Sequence, residues 1–270
     1  MASKTDLKDM TALVTGGSSG IGLEFCRDLA RRGVDIVMVS IQEKELAESC
    51  RELSEQYGVK AYSLLLDLTQ DDASQRIADF IDGKGIEIDI LINNAGIFSF
   101  NTLTDTPKRK LDCFIDLHVR AVTGLSLFFA ERMARRGHGY ILNMSSMSCW
   151  MPMPGIAMYS ATKAYIRVFT RALHYELRDC GVGVTVACPG GIATDLFGLP
   201  EPLKRLAVNI RVLDTPEAFA RKAVGKMLRR KKQYINGWLN RFSIFFIAVM
   251  PTPVRMLVKR RMLDRGIRRP

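Results

Sequence analysis

Tyr159 and Lys163 stand four residues apart in NMSSMSCWMPMPGIAMYSATKAY, residues 143–165. On a helix, positions i and i+4 lie on one face, one above the other. A free phenol has a pKa near ~10 and is a poor acid or base at neutral pH. An ammonium one turn away stabilises the phenolate and lowers that value. A Tyr so tuned can give a proton to a carbonyl oxygen or take one from an alcohol. Ser146 lies thirteen residues upstream, just past a strand read at Tyr140–Met144, and its hydroxyl could hold the same oxygen. The pair alone is weak evidence, because a surface Lys beside a half-buried Tyr gives the same spacing.

These groups need a scaffold, and the chain supplies alternating strand and helix patterns. Met10–Thr15 reads as a buried strand. Thr15-Gly16-Gly17-Ser18-Ser19-Gly20-Ile21-Gly22 follows and opens a helix through about Arg32. Glycines let the backbone approach a diphosphate, and a helix N-terminus offers free N–H groups and a positive dipole end. A Gly-rich turn alone has the same composition; the strand, glycines, helix order favours cofactor binding. Val34–Ser40 is a second strand and Glu43–Tyr57 a charged amphipathic helix. At the end of such a strand a nicotinamide site places a carboxylate for a ribose 2′-OH or a basic residue for a 2′-phosphate. Here stand Ser40, Ile41 and Gln42: no acid to repel a phosphate and no Arg to pair with one. That leans slightly to NADP(H) over NAD(H).

Val59–Leu66 is a third strand, ending at Asp67 and Leu68; Asp67 suits an adenine edge or the cap of a helix from Asp71. Ile88–Ile92 is a fourth and leads into Asn93-Asn94-Ala95-Gly96, which fits a ligand crevice or an ordinary turn. A long helical pattern runs from Lys108 to Arg136, with Phe114, Leu117, Ala121, Leu125, Phe128 and Phe129 as its apolar stripe. A fifth strand, a helix over Tyr159–Arg178 and a sixth strand over Val182–Cys188 follow. The last ends in Pro189-Gly190-Gly191-Ile192-Ala193-Thr194-Asp195. Such alternation predicts a parallel sheet covered on both faces.

With 270 residues, 47% of them hydrophobic, the chain can bury one substantial core. The N-terminus has no apolar signal stretch, and no run reaches the ~18 apolar residues of a spanning helix. Six scattered cysteines without a C-x-x-C point to free thiols in a reducing cytoplasm. His118, His138 and His174 lack metal-ligand spacing, so no metal site is expected. The net charge is +11; between Arg221 and Pro270 fifteen Lys and Arg face Asp264 alone, a net +14 that leaves −3 for the rest. The basicity belongs to the tail.

The motifs T-G-G-S-S-G-I-G, D-L, N-N-A-G, S-S, Y-S-A-T-K and P-G-G-I-A-T-D occur in one order between Met10 and Asp195. Together they resemble the short-chain dehydrogenase/reductase family. The resemblance implies a Rossmann-type doubly wound α/β fold with a seven-stranded parallel sheet, and hydride transfer between NAD(P)(H) and a carbonyl or alcohol. It assigns Ser146, Tyr159 and Lys163 to catalysis, with Lys163 also on the nicotinamide ribose. It assigns to the cofactor Gly16, Ser18, Ser19, Gly20, Ile21 and Gly22 along the diphosphate turn. Ser40, Asp67 and Leu68 fall to its adenosine end, with Asn94, Ala95 and Gly96 beside the ribose. Pro189, Gly190, Ile192 and Thr194 fall towards the nicotinamide. It also implies a homo-oligomer, dimer or tetramer. His118 departs from the pattern, since the family usually carries an Asn there that holds a water in a proton relay behind the Lys. A neutral imidazole could do the same, or simply pack against the sheet. In the packing case a non-catalytic dinucleotide-binding or scaffolding protein is the alternative.

Phe98, Trp150, Met151, Met153 and Met158 crowd the expected site with apolar side chains. Residues 195–213 occupy the usual place of a substrate lid, with Leu196, Phe197, Leu199, Leu203, Leu206 and Ile210 as a cover for a hydrophobic ligand or as core. A lipid-like, steroid-like or acyl-derived ketone or alcohol is the expected substrate. Thr215 and Pro216 read as N-cap and first turn of a helix to Arg230. The division expected is a catalytic domain over 1–234 and a basic, apolar extension over 235–270. In the extension, Trp238, the run Phe242–Met250 and the stripe Val254, Leu257, Val258, Met262 stand beside Arg255, Lys259, Arg260 and Arg261. That mixture suits an anionic membrane surface, here the inner face. A subunit contact or a solvated tail are the alternatives. No nucleic-acid motif accompanies the charge.

Overall fold

In a computed structural model, residues 7–190 and 214–263 are described. Seven parallel strands form one sheet in the order β3-β2-β1-β4-β5-β6-β7. The strands are β1 (Thr11–Thr15), β2 (Asp35–Ser40), β3 (Ala61–Leu65), β4 (Ile90–Asn93), β5 (Gly139–Met144), β6 (Val182–Ala187) and β7 (Gln233–Tyr234). The helices are α1 (Gly20–Ala30), α2 (Glu43–Tyr57), α3 (Ala73–Gly83), α4 (Lys108–Ile115), α5 (Val122–Arg136), α6 (Ala157–Glu176), α7 (Pro216–Leu228), α8 (Trp238–Ala248) and α9 (Thr252–Met262). A π-helical turn, Asp116–Ala121, joins α4 to α5.

The six longer strands lie where alternating patterns predict them, and the doubly wound order follows. The chain builds β1 to β3 outward, then returns to lay β4 on the other side of β1; Val14 pairs with Met38 in β2 and with Ile92 in β4. At such a reversal the connections leave in opposite directions, and a crevice opens at the strands' C-terminal ends. Successive side chains of each strand face opposite layers. Val14, Ile36 and Ile92 pack with Phe25 of α1 and Phe219 of α7 on one face, while Leu13, Val37 and Leu91 pack with Leu125 and Phe129 of α5 on the other. Strands β5 and β6 are buried throughout, Asn143 and Thr185 included, as strands covered on both faces are.

Lys108–Arg136 is long and apolar enough to cross a membrane by length and composition. Its apolar stripe is spent on the core instead, with Phe114, Leu125, Phe129 and Met133 buried. Thr215 caps α7 as expected, its hydroxyl accepting the Ala218 N–H at 3.2 Å. The extension forms helices α8 and α9; α8 starts at Trp238, four residues before the apolar run read from Phe242. Residues 191–213, the expected lid among them, lie outside the described residues.

Candidate active site

The turn between β1 and α1 is shaped for close approach. Gly16 has φ +63° and Gly20 φ +54°, left-handed backbone that favours glycine. A Cβ on Gly22 would overlap the Gly16 carbonyl and lie 2.6 Å from Asn94 Nδ2. The first turn of α1 therefore presses on the turn before it only because the side chain is missing. Ser19, the N-cap of α1, makes no side-chain cap, and Ile21 follows it half-buried. The helix N-terminus thus keeps its N–H groups and positive dipole end for an anion. These features fit a dinucleotide diphosphate.

The adenosine corner is polar and uncharged. Ser18 Oγ lies 2.7 Å from Ser40 Oγ and donates to Gln42 Oε1 at 3.0 Å, and Ser19 Oγ donates to the same oxygen at 3.1 Å. Gln42, which the sequence reading passed over as merely not charged, ties the end of β2 to the glycine turn. Ile41 beside it is 69% exposed. Asp67 Oδ1 accepts the Thr69 N–H at 2.9 Å and its hydroxyl at 2.8 Å. It is not the cap of α3, which begins later at Ala73. Leu68, next in the chain, is buried.

Asn94 closes the crevice floor. Its Nδ2 donates to the Thr15 carbonyl at 3.0 Å and the Gly16 carbonyl at 3.2 Å, while the N–H groups of Asn94 and Ala95 both donate to Thr15 Oγ1. Asn93 turns the other way and donates to Asn143 Oδ1 at 2.8 Å, locking β4 to β5. Across the crevice the Pro189 carbonyl accepts the Met147 N–H at 2.8 Å. The Gly190 N–H donates to Asn236 Oδ1 at 2.6 Å. Ile192 and Thr194 lie outside the described residues.

Past β5 the chain brings the predicted trio together. Ser146 has extended backbone and caps a short 3₁₀ turn over Met147–Trp150, its Oγ accepting the Ser148 N–H at 3.1 Å. Ser146 and Tyr159 are both buried there. Tyr159 enters from the first turn of α6, 6% exposed, with the ring of Phe98 edge-on at 5.0 Å. Lys163 lies one turn on, its Nζ donating to the Met144 carbonyl at 2.9 Å and standing 5.8 Å from the centre of the Tyr159 ring. Ser145 Oγ donates to the Lys163 carbonyl at 2.6 Å and pins that turn of α6 to β5.

The electrostatics differ from the expectation that the ammonium lowers the phenol. Burial pushes Tyr159 above its ordinary value, and the nearby Ser146 hydroxyl pulls it part of the way back. Burial pushes Lys163 down to about 8. Desolvation acts against the charged form of both groups. Without a bound ligand, the phenol holds its proton at neutral pH.

His118 is fully buried on the π turn. The Ile97 N–H donates to Nε2 at 3.1 Å, and Nδ1 stands 2.9 Å from Thr162 Oγ1. Nε2 accepts, so the proton sits on Nδ1, and both nitrogens are used. Burial and the nearby Lys163 ammonium push the imidazole down to about 2, so it stays neutral. The ring is tied to α6 through Thr162, a partner the sequence offered no signal for. A Cβ on exposed Gly96 would lie 3.0 Å from His118 Nε2 and 3.4 Å from Lys163 Nζ. Glycine there keeps both side chains within reach of the crevice. Phe98, Trp150, Met151, Met153 and Met158 are all half-buried, and Arg167 stacks on the Trp150 ring at 4.3 Å.

The short chain dehydrogenase family model matches residues 10–200. A very-long-chain 3-oxoacyl-CoA reductase of Anas platyrhynchos is 30% identical over 251 residues, 91% of this chain and 77% of that protein. Among solved structures, a short-chain dehydrogenase from Sphingobium yanoikuyae in complex with NADPH aligns with TM-score 0.77 at 26% identity. It covers 94% of this chain and 96% of that one. A 7beta-hydroxysteroid dehydrogenase aligns with TM-score 0.81 at 27% identity, covering 91% and 94%.

Proposed function

This chain belongs to the short-chain dehydrogenase/reductase family, and from that premise we propose that it interconverts a hydrophobic carbonyl compound and its alcohol, acting at neutral pH as an NADPH-dependent reductase. Membership makes it an NAD(P)-dependent oxidoreductase. The substrate class, the cofactor choice, the direction and the residue roles are the proposal. The observation that carries it is the buried cluster of Ser146, Tyr159 and Lys163, with the Lys163 Nζ 5.8 Å from the centre of the Tyr159 ring. A substrate carbonyl oxygen resting between the two hydroxyls would be oriented by Ser146 and protonated by Tyr159. A nicotinamide cofactor held along the glycine turn supplies the hydride. Lys163 offsets the charge of the phenolate that remains. The protonated state of Tyr159 supports reduction, since the acid is loaded before substrate arrives.

The half-buried aromatic and Met side chains around Tyr159 support an apolar substrate, as do the long-chain acyl and steroid substrates in the names of the similar proteins. The uncharged corner of Ser18, Ser40 and Gln42 supports NADP(H), and the Sphingobium structure holds NADPH. An Ile41→Arg variant should bind NADPH about tenfold more tightly with NADH little changed, by pairing a guanidinium with the 2′-phosphate. Fluorescence titration with both dinucleotides checks it. The same titration, followed by turnover with a panel of ketones, tests the reading as a whole. NADPH binding with no turnover of any ketone would leave a dinucleotide-binding scaffold.

His118 is proposed as a positioning residue, with the relay water held elsewhere. His118→Asn should keep activity and leave the pH profile between pH 5 and 8 unchanged, because the ring it replaces does not titrate there. His118→Ala should lose about 1–3 kcal/mol of stability by leaving the Ile97 N–H without its acceptor, a loss a thermal melt would read. A homo-oligomer is supported by exposed Leu127 of α5 and Val168 of α6, and by the Tyr165 and Phe169 rings of α6, stacked 5.7 Å apart. The proposed division stays at 1–234 for catalysis, 195–213 for the lid and 235–270 for the extension.

A further inference from the structure

We propose that α8 and α9 form a docking platform for an anionic lipid surface, placed at the lip of the active site so that substrate enters from the bilayer. The outer face of α8 is the apolar one. Trp238, Phe242, Phe245 and Val249 recur at i, i+4, i+7 and i+11, and each is 59% exposed or more. Leu239 and Phe246 widen the stripe at 52% and 57%. A water-soluble helix carries polar residues on that face. Apolar patches of this kind mark a partner or a membrane.

Charge selects the partner. Between residues 235 and 263 the cations are Arg241, Arg255, Lys259, Arg260 and Arg261, and there is no Asp or Glu. On α9 the exposed aliphatics Val254, Met256 and Leu257 lead into exposed Arg260 and Arg261 one turn later. Apolar side chains beside cations match acyl chains beside anionic headgroups. Each helix has 11 residues, about 16 Å of axial length against the ~30 Å of a bilayer core. The two meet at 100°, a wedge suited to lying in the interface.

The inner side of the wedge touches the site. A Cβ on Gly190 would overlap the Asn240 amide. Ser243 Oγ donates to Met147 Sδ at 3.8 Å, one residue from Ser146. Leu263, just past α9, stands against Gly155 on the approach to α6. Lipid contact and active-site mouth are thereby two faces of one element. The delivery of substrate rests on the oxidoreductase reading; the lipid contact does not.

The test is sedimentation of the full chain with phosphatidylcholine vesicles, with and without phosphatidylglycerol. Anionic vesicles should bind it about tenfold or more better than neutral ones. Phe245→Ser/Phe246→Ser and Arg260→Glu/Arg261→Glu should each weaken that binding by about tenfold. All forms should turn over a small water-soluble ketone alike, while the variants slow on a long-chain ketone dissolved in the vesicles. The proposal is overturned if the wild type stays in the supernatant with both vesicle types, or if the variants bind as the wild type does. It is also overturned if light scattering shows a dimer that the Phe variants split, since a second copy then covers the face. A wild type that binds vesicles but reduces no ketone would count against the oxidoreductase reading and leave the platform standing.

Discussion

Tyr159→Phe is expected to lower kcat and kcat/KM for carbonyl reduction together, by about 10²–10⁴-fold, with NADPH affinity close to wild type. The ring is buried and packs edge-on against Phe98, and Phe preserves that contact. What disappears is one hydroxyl and its proton. A parallel fall in both constants marks an interaction made only in the transition state. A merely structural Tyr would instead show a lowered melting temperature with turnover near normal. Steady-state kinetics with dinucleotide titration separates the two. If the variant turns over at a rate close to wild type, the proton comes from another group. The pH dependence follows from Lys163. Its pKa is lowered to about 8, so the ammonium is present below that pH and lost above it. The reduction rate should hold level below about 8 and fall above it, as the phenolate loses its countercharge.

Gly22→Ala is expected to damage fold and cofactor binding at once. The added methyl would overlap the Gly16 carbonyl and crowd Asn94 Nδ2 at 2.6 Å. Both neighbours are held: Gly16 donates its N–H to the Val39 carbonyl at 2.7 Å, and Asn94 is tied to Thr15 and Gly16 by three hydrogen bonds. Neither can yield without moving α1 off the sheet. Overpacking of this kind costs about 1–3 kcal/mol, to be read as a lower melting temperature and weaker NADPH stabilisation. Gly225→Ala in α7 is the control. A Cβ there meets nothing within 4 Å, and Ala favours a helix over Gly, so that variant should melt at or above wild type.

Six strands, their parallel pairing and the helices between them are legible because each carries its own periodicity. The glycine turn, Ser146, Tyr159 and Lys163 are legible because the chemistry needs those side chains at those spacings. The two-residue β7 is too short to carry a pattern and exists through its pairing with β6. The support for the site is invisible for a different reason. Lys163 rests on the carbonyl of Met144, and His118 on the N–H of Ile97. Every residue has a carbonyl and nearly every one an N–H, so no sequence signal names the partner. The upward push on Tyr159 escaped likewise. Spacing reveals a neighbouring charge, whereas burial depends on Phe98 and other residues that arrive from elsewhere in the chain.

The π turn at Asp116–Ala121 works as a vernier between two helices that each face the protein in their own phase. Upstream of it, Phe114 is buried edge-on against the His118 ring that the turn itself carries; downstream, Leu125, Phe129 and Met133 are aimed at the sheet. A π turn spaces its hydrogen bonds five residues apart where an α turn uses four, so it winds slightly less per residue. Removing one residue from 116–121 would straighten the rod and swing one set of side chains away from its target. The imidazole's address is therefore written in the length of that segment as much as in the identity of residue 118.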